Sequence, residues 1–76
     1  MNNFRRKEIQ RAIELLEEAK SIIDNCLDDE QEALDNMPES LQQSERCMRM
    51  QECVDNLENT SSSIDEAIDF ANECLG

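Results

Sequence analysis

A chain of 76 residues with 19 acids, 7 bases and a formal net charge of -12 is one domain at most, and at that size a single core leaves little stability in reserve unless the chain oligomerises or is cross-linked. The charge repels nucleic-acid phosphates and anionic lipid alike, so neither direct nucleic-acid binding nor membrane binding is expected, and it favours a basic protein partner. With one glycine, one proline, two phenylalanines and no tyrosine, tryptophan or histidine, strand formers and turn chemistry are scarce and the fold class is all-α.

The start, MNNFRRKEIQRAI, lacks the apolar run of a signal peptide, and no stretch approaches the ~18 apolar residues of a membrane-spanning helix, so a cytoplasmic location is expected. A first helix is predicted over about residues 3–35. In it Ile9, Leu16 and Ile23 recur every seven residues, Ala12, Ala19, Cys26 and Ala33 form a companion row, and Ile13, Leu27 and Leu34 widen the apolar face. A face that broad suits a bundle better than a two-stranded seam.

The stretch LDNMPES, residues 34–40, follows. Pro38 disfavours helical geometry at Met37 and suits the first turn of a new helix, while Asn36 tolerates the left-handed conformation that often closes one. The first helix is therefore expected to end near Asp35 and the second to run over about residues 38–75. A two- or three-residue connection makes antiparallel neighbours. A turn centred on Asn36 and Met37 would set Arg5, Arg6 and Lys7 beside Asp65, Glu66 and Asp69, Arg46 and Arg49 beside Asp24 and Asp28, and Cys26 opposite Cys47. Each helix end would then supply counter-charge where the other opposes its own dipole.

In the second helix Val54, Leu57, Ser61, Ile64, Ile68, Ala71 and Leu75 alternate spacings of three and four, extended backwards by Met50 and Cys47, which is an a/d heptad row. A break is conceivable at NTSSS, residues 59–63, where Ser63 and Glu66 have capping-box spacing. The row crosses that segment unbroken from Leu57 to Ile64, which favours one continuous helix. The predicted core and self-association residues are Ile9, Leu16, Ile23, Val54, Leu57, Ile64 and Ile68. Because a bare hairpin has a thin core, two copies are expected to pair into a four-helix homodimer.

The candidate site is acidic. Residues 14–39 carry Glu14, Glu17, Glu18, Asp24, Asp28, Asp29, Glu30, Glu32, Asp35 and Glu39 against Lys20 alone. Helical neighbours three and four apart lie about 5–6 Å apart at Cβ, near the ~7 Å that separates phosphates along a strand, so such rows can imitate a nucleic-acid backbone and occupy a basic groove. The alternative is that these acids only keep the helices soluble. No cofactor and no metal are expected: the acids around Asp28 lack an EF-hand glycine, and Cys26, Cys47, Cys53 and Cys74 lack paired zinc-ligand spacing. The cysteines read as reduced thiols acting as small core residues. Met37, Met48 and Met50 fill space near the turn or form an adaptable patch with Arg46 and Arg49. Without histidine, phosphate loop or nucleophile motif, no catalytic residue is assigned and an enzyme is not expected.

The stretches RRKEIQRAIELLEEAKSIID, DNMPESLQQSER and VDNLENTSSSIDEAIDF resemble short acidic helical proteins of bacterial phages, prophages and other mobile elements. The resemblance covers nearly the whole chain and is most specific over residues 35–46, while the four cysteines depart from its usual wording. It implies residence in a bacterial host cell and an accessory role: binding and blocking a host protein, such as a nucleic-acid-binding defence factor, as an inhibitor or adaptor. The other reading is a self-associating structural protein whose charge serves solubility.

Overall fold

In the computed structural model, which describes all 76 residues, the chain opens on a side-chain cap. The Asn2 side chain accepts the Arg5 backbone N–H at 2.8 Å, satisfying one of the donors a helix start leaves unpaired. From there α1 runs over Asn3–Asp35, a stretch without glycine or proline and rich in straight-chain residues that lose little rotamer freedom in a helix. It closes without a left-handed residue. Asn36 sits at φ -89° and ψ 3°, and the last turn tightens as the Met37 N–H reaches the Leu34 carbonyl at 3.1 Å.

The expected start of the second helix at Pro38 is corrected. Pro38 is extended (φ -57°, ψ 143°) and precedes a single 3-10 turn over Glu39–Leu41. The second helix, α2, spans Glu45–Cys74. A helix begins where its free N–H groups find an acceptor, and Met37, the residue before the proline, has no side-chain oxygen to offer. Ser44 has one. Its hydroxyl accepts the Cys47 N–H at 3.2 Å and donates to the Leu41 carbonyl at 2.6 Å. From there α2 runs without interruption through residues 59–63, where the Thr60 hydroxyl turns back to the Asn56 carbonyl at 2.7 Å. The Ser63 capping signal goes unused.

The two helices pack antiparallel into a hairpin of 60 × 15 × 14 Å with a radius of gyration of 17.3 Å, against about 11 Å for a globule of this length. Arg6 donates from its guanidinium to the Leu75 carbonyl, Lys20 meets Asp65, and the Ser61 hydroxyl donates to Asp24. These contacts correct the expected register. Asp24 faces Ser61 rather than Arg49, a displacement of roughly three turns along α2, because the connection absorbs residues 36–44 instead of two or three. Arg49 pairs within its own helix with Glu45 at 2.7 Å, and Arg5 and Lys7 form no ion pair with Asp65, Glu66 or Asp69. Cys26 and Cys47 are not opposed.

The seam on α2 follows the a/d row: Cys47, Met50, Leu57, Ser61, Ile64, Ile68, Ala71 and Leu75 are half-buried and Val54 is buried. Its counterpart on α1 is Ile9, Ile13, Leu16, Lys20, Ile23, Leu27, Glu30 and Leu34, of which Ile13 alone is buried. The broad apolar face of α1 is thus only partly used. Ala12, Cys26 and Ala33 are exposed, and so are Leu15, Ile22 and Phe70. Nor are the cysteines core residues in the hairpin: Cys47 is half-buried and the other three are exposed free thiols.

Candidate functional site

Successive residues of a helix are rotated by about 100°, so each residue that directly follows a seam position projects to one flank and each that precedes it projects to the other. In an antiparallel pair the two following rows share one flank. The structure shows this where Gln10, Glu14 and Glu17 of α1 line one groove with Asn72 of α2. Along this flank the chain repeats a two-residue unit, an apolar seam residue followed by an acid: Ile13-Glu14, Leu16-Glu17, Ile23-Asp24, Leu27-Asp28 and Leu34-Asp35 on α1, then Val54-Asp55, Leu57-Glu58, Ile64-Asp65 and Ile68-Asp69 on α2. The fold converts these units into two parallel rows of carboxylates on one side of a rod.

Five of the ten candidate acids lie on this flank: Glu14, Glu17, Asp24, Asp28 and Asp35. Glu18 and Glu32 point away from α2 on the outer side of α1, Asp29 lies on the opposite flank, Glu30 is half-buried in the seam, and Glu39 is exposed in the 3-10 turn. The run Asp28-Asp29-Glu30 is contiguous in sequence and dispersed around the helix. Conversely, Asp55, Glu58, Asp65 and Asp69 belong to the flank although they fall outside the acid-rich stretch. The apolar–acid repeat is the signal that finds them.

From the seam at the middle of this flank Lys20 reaches out, 2.8 Å from Asp24 and 3.7 Å from Asp65, with Ser61 donating to the other Asp24 oxygen at 2.6 Å. The hydrogen bond from Lys20, then that from Ser61, holds the Asp24 carboxyl below its ordinary value against a partial desolvation that pushes the other way. The same bond to Asp24 raises Lys20 above its ordinary value, with the Asp65 charge adding to it. This network ties the flank's centre together and leaves its other carboxylates facing solvent.

The second flank differs in kind. Its rows are Ala12, Leu15, Ala19, Ile22 and Cys26 on α1 and Thr60, Ser63, Ala67, Phe70 and Cys74 on α2, ten positions without a charge. Charges return only at its two ends, at Glu8 near the chain termini and at Asp29, Arg46 and Arg49 towards the connection. Of the methionines near the turn, Met48 is exposed and Met37 and Met50 are half-buried. The four cysteines do not converge, and no group of three potential ligands is positioned to hold a metal ion. No helix is long and apolar enough to cross a membrane. No family model, curated protein or solved structure matches this chain.

Proposed function

We propose that this protein is a small accessory protein of a phage or mobile element that docks on a basic surface of a host protein and blocks it, with the acidic flank as the contact surface. The observation that carries this reading is the one-sidedness of the charge. Nine carboxylates, Glu14, Glu17, Asp24, Asp28, Asp35, Asp55, Glu58, Asp65 and Asp69, share one flank of a 60 Å rod. Acids serving only solubility have no reason to leave the middle of the other flank bare, where Glu8 and Asp29 stand only at its ends. Rigid parallel rows present negative charge at helical spacing, which suits a groove built for a nucleic-acid backbone. Long-range attraction steers the encounter, and the affinity falls as salt screens it.

The test compares two sets of substitutions with the same change in charge. Glu17→Lys, Asp28→Lys, Glu58→Lys and Asp69→Lys alter exposed acids of the flank outside the Lys20 network, whereas Glu18→Lys, Asp29→Lys, Glu32→Lys and Glu52→Lys alter acids elsewhere. Tagged protein is used to capture partners from bacterial lysate under rising salt, and the captured protein is then purified and titrated directly. The first set abolishes binding and the second retains most of it. Equal loss from both sets would reduce the effect to net charge and remove the acidic flank from the mechanism. The self-assembling structural reading draws on the exposed Leu15, Ile22 and Phe70; it expects assemblies larger than two chains and recovery of the protein alone.

A further inference from the structure

We infer that the uncharged flank, centred on Leu15, Ile22 and Phe70, is the seat of a second copy of this chain, so that the working unit is a face-to-face dimer with both acidic flanks turned outward. Three observations bear on it, and none depends on the identity of a basic partner.

The first is area. The hairpin exposes 5849 Å² and buries two of its 76 residues. A folded monomer of 8.8 kDa ordinarily exposes about 4,800 Å². The excess, about 1,100 Å² per chain, doubles to about 2,200 Å², the scale of an obligate homodimer interface. The second is location. Leu15 is 53% exposed, Ile22 57% and Phe70 70%, and all three fall on the flank preceding the seam, among small or uncharged neighbours that allow close helix approach. The third is charge. Two chains of net charge -12 each repel most strongly if their carboxylate rows meet. Only the uncharged flank lets a second copy approach with the acids held apart. A two-fold pairing there is self-complementary by symmetry.

The cysteines supply an internal probe. Cys26 and Cys74, exposed in the single hairpin, stand at the two ends of the uncharged rows and become covered when the flanks meet. Thiol alkylation reports that covering directly.

The experiment measures mass by sedimentation equilibrium at about 100 μM chain, with helicity by circular dichroism, and maps alkylation of Cys26 and Cys74 by peptide mass spectrometry, native against denatured. The expected mass is twice the 8.8 kDa of one chain, with both thiols alkylated at least about tenfold more slowly than in denaturant, as for groups that open only rarely to solvent. L15E/I22E abolishes the dimer, whereas D28K/D69K on the acidic flank retains it. Should L15E/I22E fail to fold, thiol protection in the unaltered protein decides. A helical species of single-chain mass, an assembly of any other size, a dimer indifferent to L15E/I22E, or Cys26 and Cys74 alkylated at the denatured rate in a dimer each overturns the proposal.

Discussion

Replacing Val54 by alanine tests whether the seam holds the hairpin together. Val54 is 2% exposed, the most buried side chain in the chain, and Ile13 at 6% is the only other buried one. The substitution removes two methylene-sized groups, worth about 1.6 kcal/mol of transfer free energy. A residual cavity adds up to about 1 kcal/mol more. The hairpin is one helix thick on each side of the seam, so its neighbours can close in, and the expected loss is about 2 kcal/mol. A domain of this length has about 4–11 kcal/mol in total, so the loss is a large fraction. It corresponds to a fall in Tm of about 8–16 °C. Thermal unfolding followed by far-UV circular dichroism measures it, at one fixed chain concentration because pairing makes Tm concentration-dependent. Glu52→Ala, on the exposed outer side of α2, serves as control and stays within about 0.5 kcal/mol of the parent. A Val54→Ala shift no larger than that of the control would refute the seam as the source of stability.

Two further outcomes are expected of local features. Ser44→Ala removes the cap that places the start of α2 and costs about 1 kcal/mol, or about 4–8 °C in Tm; an unchanged Tm would mean that another residue starts the helix. The Lys20–Asp24–Ser61 network gives a signed pH dependence. Asp24 has a folded pKa below its ordinary 3.8, so its contribution is present above pH 3.8 and is lost as pH falls through the lower folded value. Lys20 is raised above 10.5, so its contribution is present below pH 10.5 and is lost as pH climbs through the higher one. Unfolding of the parent and of Asp24→Asn across pH therefore shows a stability gap on the neutral plateau that narrows at acid pH. A gap that stays constant into strong acid would remove Asp24 from the network. Taking the difference between the two proteins cancels the general relief of repulsion on acidification.

Much of this fold is legible in the chain because a/d spacing is a strong signal. The row from Cys47 to Leu75 coincides with the half-buried side of α2, and the alternation through Ser61 rightly outweighs the serine cluster around it. The seven predicted core residues all lie in the seam. The connection is less legible, since proline is a conspicuous breaker and Ser44 a quiet starter, yet a helix begins where its N–H groups are accepted. Because the connection sets the register, each cross-helix pair expected from a turn at Asn36 and Met37 shifts with it. The candidate site is obscured for a different reason. Density of acids along the sequence differs from density in space, as Asp28, Asp29 and Glu30 show by pointing to three sides of α1. The relevant regularity is positional, an acid directly after nine of the eleven Ile, Leu and Val residues of the seam. On α1 the seam also admits Lys20 and Glu30, polar residues that an apolar template passes over while it gathers in Ala12, Cys26 and Ala33.

The polar contacts inside that seam bear on how the chain finds one structure among close competitors. Heptad rows repeat themselves, so sliding α2 by seven residues against α1 would leave most apolar positions matched again. Such a slide would set the Asp24 carboxylate against Val54 or Ile68 in place of Ser61, and in the second case would also replace Asp65 beside Lys20 by Asn72. A carboxylate facing an apolar side chain, its hydroxyl donor lost, makes the slipped states poorer without making the native one much better. In a rod with two buried residues, the bond from Ser61 to Asp24 adds to the apolar fit a polar mark that distinguishes one alignment from its heptad repeats.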